Sequence, residues 1–135
     1  MNEHSDRQGL YSNFMLPEDT AVVDRVAALL AAGSPVPRDD MAAAARAVAG
    51  ELATRRPGKS IEVRVPPYAA VQVGLTSGDG PTHRRGTPPN VVELAPETSV
   101  RLATGDIAWS AAVKGGLVRY SGAHAGEVAG LLPLR

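Results

Sequence analysis

The side chains able to do chemistry are few and scattered. Three histidines, His4, His83 and His124, lie far apart, and the chain has no cysteine. Thiolate metal sites, a thiol nucleophile and disulfides are therefore excluded. No histidine pair has the spacing that holds zinc on one helix face or across a hairpin. His124 and Glu127 are three residues apart and can share a helix face, but they supply two ligands only, so they read as a solvated pair near a helix start. No serine stands in a nucleophile elbow, and no local pattern unites Ser, His and a carboxylate. Gly78-Asp79-Gly80 lacks the lysine, the preceding buried strand and the following helix of a phosphate loop, and reads as a turn. Trp109, the sole tryptophan, reads as a packing residue. These residues predict no catalytic site, no cofactor site and no metal site, hence a protein that is not an enzyme.

Composition narrows the partners. Fourteen Lys and Arg balance fourteen Asp and Glu, so there is no basic surplus of the kind that neutralises nucleic-acid phosphates. The short basic spots Arg55-Arg56 and His83-Arg84-Arg85 do not change that. No apolar run approaches the roughly 18 residues of a membrane span, and Met1 to Gly9 is polar, unlike a signal peptide. A cytoplasmic location follows as the simplest expectation. With 135 residues and only five aromatics, the chain predicts a single domain whose core is Val, Leu and Ala.

The elements that must position any site follow from hydrophobic period. Residues 1–16 show no sustained period and read as a flexible arm, leaving 17–135 as the domain. Val22, Val23, Val26, Leu29 and Leu30 recur at helical spacing after Pro17, with Gly33 as the stop. A second helix is predicted from about Asp39 to Arg56, capped by Asp39 or Asp40 and ended by Pro57-Gly58. The period then changes to two: Ile61, Val63 and Val65 alternate with Glu62 and Arg64, marking a strand with one wet face. Further strands are predicted over Tyr68–Leu75, Thr82–Arg85, Asn90–Leu94 and Leu117–Ser121. Pro96 opens a helix that reaches Thr104 before Gly105, Asp106 caps another over Ile107–Lys114, and a last short helix carries Val128, Leu131 and Leu132. Grouped helices and grouped strands indicate an α+β domain with an antiparallel or mixed sheet.

One set of segments says more than periodicity does. Val63-Arg64-Val65-Pro66-Pro67-Tyr68, Arg85-Gly86-Thr87-Pro88-Pro89-Asn90-Val91-Val92-Glu93, Arg101-Leu102-Ala103-Thr104-Gly105 and Gly116-Leu117-Val118-Arg119-Tyr120-Ser121-Gly122 together resemble the small actinobacterial sterol carrier family proteins. The Leu102-Ala103-Thr104-Gly105 helix end, the short helix after it and the strand ending in Ser121-Gly122 are also similar to the accessory domain of mycothiol-dependent maleylpyruvate isomerases. The resemblance covers residue 17 to the C-terminus. It implies a sterol-carrier-protein-like fold, a five-stranded sheet with helices packed on one face, and an apolar tunnel between the two layers that takes sterols or acyl chains in relatives. It implies no catalytic residues. Ser99 departs from the pattern, standing where the family has a large aromatic or apolar residue.

The expected function is non-catalytic binding of a lipid or other hydrophobic small molecule, with Val71, Val73, Val92, Leu94, Trp109 and Leu117 lining the cavity. Arg85, Gly86, Thr87, Pro88, Pro89, Asn90 and Glu93 are expected to serve structure, with Arg85 and Glu93 bracing the Pro-Pro crossing. The alternatives are an accessory or protein-interaction domain with a vestigial pocket, and a thiol-dependent isomerase or transferase. The partner is expected to be a small apolar molecule rather than nucleic acid or an inserted membrane, with self-association left open.

Overall fold

A computed structural model of the protein describes residues 15–79 and 88–134. Most of the N-terminal arm lies outside these residues. So do the strand predicted over Thr82–Arg85 and the family-pattern residues Arg85, Gly86 and Thr87.

Two long helices come first. Helix α1, Pro17–Ala31, has Pro17 at its first turn with Glu18 and Asp19 beside the positive end of the helix dipole, and it buries Val22, Val23 and Val26. Helix α2, Arg38–Arg55, starts one residue earlier than its acidic residues suggest. Pro37 occupies the cap position, while Asp39 and Asp40 sit in the first turn without capping. Ala42, Ala44, Ala45 and Ala49 are buried on α2, and these small side chains let α1 and the later helix α3, Pro96–Thr104, both lie against it.

The strands are β1 (Ile61–Val65), β2 (Ala69–Val73), β3 (Asn90–Leu94) and β4 (Val118–Ser121). They form one mixed sheet in the order β2-β1-β3-β4. Strand β1 pairs antiparallel with β2 and parallel with β3, and β3 pairs antiparallel with β4. The expected five-stranded sheet is thus four-stranded among the described residues. Strand β2 is shorter than the Tyr68–Leu75 read from the sequence, because the Gly74 N–H leaves the ladder to donate to the Arg56 carbonyl at 2.8 Å.

Helix α3, Pro96–Thr104, matches its prediction, including Gly105 in the left-handed conformation at the C-cap. Helix α4 covers only Trp109–Lys114. Asp106 does not cap it: the Asp106 and Ile107 N–H groups donate to the Arg101 carbonyl, and the Asp106 carboxylate accepts from Arg101 Nε at 3.1 Å. These two residues therefore finish α3. Strand β4 begins after Leu117, whose N–H closes a turn on Ala112 O. The final helix is a 3-10 helix, Ala125–Leu131.

Alternation along the strands sorts the layers. Ile61, Val63, Val65, Val73, Val92 and Leu94 are buried beneath the helices. Glu62, Arg64, Gln72, Glu93 and Arg119 alternate with the inward residues, and none of them is fully buried. On that wet face the Glu62 carboxylate bonds Arg64 and, with Glu93 adding to it, holds the Arg64 guanidinium further in its charged form. One hydrophobic cluster joins the sheet to α1, α2, α3 and the 3-10 helix. Among the described residues, no helix is long and apolar enough to cross a membrane.

Candidate ligand-binding seam

The helical stripe of α2 brings Val48 and Leu52, one turn apart, against the sheet. Alternation on β1 and β3 presents Val63 and Val65 beside Val92 and Leu94, and α3 adds Ser99 and Leu102. Together with Trp109 of α4, Val128 of the 3-10 helix and Leu132, these side chains line an apolar seam between the layers. Its interior volume is about 10 Å³, the space of roughly one water molecule. Ligand pockets commonly measure about 300–1,000 Å³, so the seam is closed in this conformation.

Its one polar side chain is already satisfied. Ser99 is buried, and its hydroxyl donates to the Pro96 carbonyl at 2.6 Å within the first turn of α3. A large residue here has no room in a seam this narrow. Nine of the eleven lining residues are fully buried; Trp109 and Leu132 alone retain some exposure. The seam therefore meets solvent between α4 and the segment after the 3-10 helix. Trp109 also faces Tyr120 of β4, with ring centroids 6.4 Å apart and planes tilted by 45°.

The six residues expected to line a cavity separate. Val92, Leu94 and Trp109 line the seam. Val73 is fully buried in the core without bordering it, and Val71 is half-buried on the edge strand opposite Val63. Leu117 does not face the interior: it is 40% exposed and borders a shallow surface groove with Pro66, Pro96 and Arg119. It precedes β4 and so escapes the alternation assumed for it. The lining residues missed were chiefly Val48, Leu52, Leu102 and Leu132. A signal existed for the first two, which lie on the predicted apolar stripe of α2. Val63 and Val65 were likewise signalled by sharing the alternation of β3.

A polar knot gathers at the start of β3. Asn90 is 4% exposed; its Nδ2 donates to Ser60 O at 2.9 Å, and its Oδ1 accepts from the His124 N–H at 2.9 Å. Glu127 accepts from the Thr76 N–H at 2.8 Å and pairs with His124 Nδ1 at 2.8 Å. The Thr76 N–H first, and His124 second, hold the Glu127 carboxyl below the usual carboxylate range. Asp79, read only as a turn residue, accepts from the Lys59 N–H, Ser60 Oγ and the Leu75 N–H, tying the start of β1 to the loop after β2. His124 and Glu127 do form the pair that their spacing suggested, and in addition they anchor the chain. Of the remaining family-pattern residues, Pro88 is buried and Pro89 exposed, and Glu93 lies 4.0 Å from Arg119 on the wet face. Among the described residues, no three of His, Asp and Glu converge as metal ligands do.

Layer order, a mixed sheet covered on one face, and an apolar seam between the layers define a sterol-carrier-like α+β domain. A family model described as bacterial SCP ortholog matches residues 37–134, from the start of α2 to the end of the described chain. The chain belongs to this bacterial family of sterol-carrier-protein-like domains. No curated protein matched it.

Proposed function

We propose that this domain binds an extended apolar small molecule, such as a fatty acyl chain, in the seam between sheet and helices, without catalysing a reaction on it. The observation that carries this reading is the lining itself: five separate elements, α2, β1, β3, α3 and the 3-10 helix, contribute buried apolar side chains to one seam, with the half-buried Trp109 and Leu132 at its edge. Membership of the bacterial sterol-carrier-like family supports it. A cytoplasmic location and a small-molecule partner rather than nucleic acid belong to the same reading, supported by the balanced charge.

The experiment is a thermal-denaturation panel of long-chain fatty acids and acyl-CoAs. A ligand that binds only the folded state adds about 2.7 kcal/mol at a hundredfold excess over its Kd, so at least one member should raise Tm by several degrees. No shift with any member overturns the reading.

The volume of about 10 Å³ favours a second reading, an accessory domain with a vestigial pocket, akin to the isomerase accessory domains that the sequence resembles. Under it, the panel leaves Tm unmoved and native mass spectrometry of protein from its own host shows no co-purified small molecule.

A further inference from the structure

A seam this small admits no acyl chain unless one wall moves, and the structure differs sharply in how firmly it holds the two walls of the mouth. The wall carrying Leu132 is fastened at many points. Arg56 Nη1 donates to Glu127 O at 3.0 Å, Arg55 Nη2 to Leu134 O at 2.7 Å, and the Leu134 N–H to Ala103 O at 2.8 Å. The Thr76 to Glu127 and His124 to Asn90 bonds hold its beginning. The wall carrying Trp109 is held by packing alone: Trp109 and Val113 rest against the core and Ala112 is buried in it, with the Trp109 ring beside Tyr120. Among the described residues, the backbone bonds of 108–117 outside the helix proper close within that stretch: Ala112 to Ala108, Gly115 to Ala111, Gly116 to Val113 and Leu117 to Ala112. Ala112 is the one buried residue of α4. Left-handed glycines bracket the segment, Gly105 at φ 81° and Gly116 at φ 75°.

We infer that α4 with its flanking residues, 108–116, is a flap that pivots between the Gly105–Ile107 turn, which stays tied to α3, and Gly116, and admits the ligand by lifting Trp109 off the seam, while the C-terminal segment stays fixed. Segments with few buried side chains and few hydrogen bonds to their neighbours open at lower free energy than the core, and glycines at both ends absorb the backbone change. Tyr120 is the resting place of the Trp109 ring. The inference rests on the apolar-ligand reading for its purpose but not for its mechanics.

Hydrogen exchange on the full-length, ligand-free protein tests the mechanics. Amides of 108–117 should exchange at least about tenfold faster than those of 125–134; equal rates, or the reverse order, overturn the flap. The second measurement is uptake of cis-parinaric acid, a fluorescent fatty acid, followed by stopped flow. Trp109→Ala should speed uptake at least about fivefold, and Leu131→Ala, in the fixed segment but outside the seam lining, should change it by less than twofold, because one wall swings and the other does not. Thermal denaturation confirms that both variants fold. Equal acceleration by both variants counts against the flap. If wild-type protein takes up no cis-parinaric acid, the ligand reading fails, while the exchange result still decides whether α4 opens.

Discussion

The backbone N–H of His124 donates to Oδ1 of Asn90 at 2.9 Å, linking the start of the 3-10 helix to the first residue of β3. Asn90 spends its other end on Ser60 O, so one buried amide joins β1, β3 and the C-terminal segment. Asn90→Ala leaves the partly buried Ser60 carbonyl and His124 N–H without their partner and should cost about 1–3 kcal/mol, read as a lower urea midpoint with unchanged slope. Gly122→Ala should act at the same spot, since a Cβ there runs into Asn90 Oδ1 and Pro89 O.

Glu127 gives a pH signature. Its folded-state carboxyl titrates below the ordinary carboxylate value because the Thr76 N–H, and then His124, stabilise the charged form. Its stabilising contribution is therefore complete above the unfolded value of about 4.3, and it is lost as pH falls through the lowered one. Between about pH 5 and pH 2 the Tm of the wild type should fall more steeply than that of Glu127→Gln. Parallel curves would show that the Thr76 bond does not depend on charge.

Ser99 sits where extra volume is punished. With about 10 Å³ of space beside it, Ser99→Phe overpacks the seam and should destabilise by about 1–3 kcal/mol. Ser99→Ala loses only the bond to Pro96 O, about 1 kcal/mol. Chemical denaturation of the two variants checks the order, which reverses if the seam is roomier than it looks.

Glu51 and Arg55 form an ion pair at 2.8 Å with side chains 3% and 21% exposed, and Arg55 also holds Leu134 O. Arg55→Met strands a buried carboxylate and should cost about 3–5 kcal/mol. Glu51→Gln should cost less, and the double variant less than the sum. Urea unfolding of the four proteins closes the cycle.

What could be read from the residues is what depends on local pattern. The alternation of Ile61, Val63 and Val65 gave both the strand and its wet face, and Pro96 with Gly105 bounded α3 because those two residue types act on the backbone at their own positions. What escaped depends on partners distant in the chain. Asn90 looked like one more member of a Pro-Pro segment, since nothing near it announces that Ser60 and His124 will meet there. Asp79 hid its three bonds behind a turn signature. Leu117 was assigned inward by extending a strand one residue too far, and within a strand one step reverses the face. The near absence of space in the seam was equally hidden, because a void is the residue of all the packing around it and of no single position.

The parallel pairing of β1 with β3 has a consequence for how the chain assembles. It brings together positions 29 apart, such as Ile61 and Asn90, and no tight turn makes such a junction. Helices α1 and α2 emerge from the ribosome before any strand of the sheet, yet the surface that covers Val48 and Leu52 is unfinished until β3 arrives. A nascent chain halted before Asn90 should therefore present a naked greasy ridge, a ready client for chaperones, and release into native structure should wait on the synthesis of β3 and the segments after it.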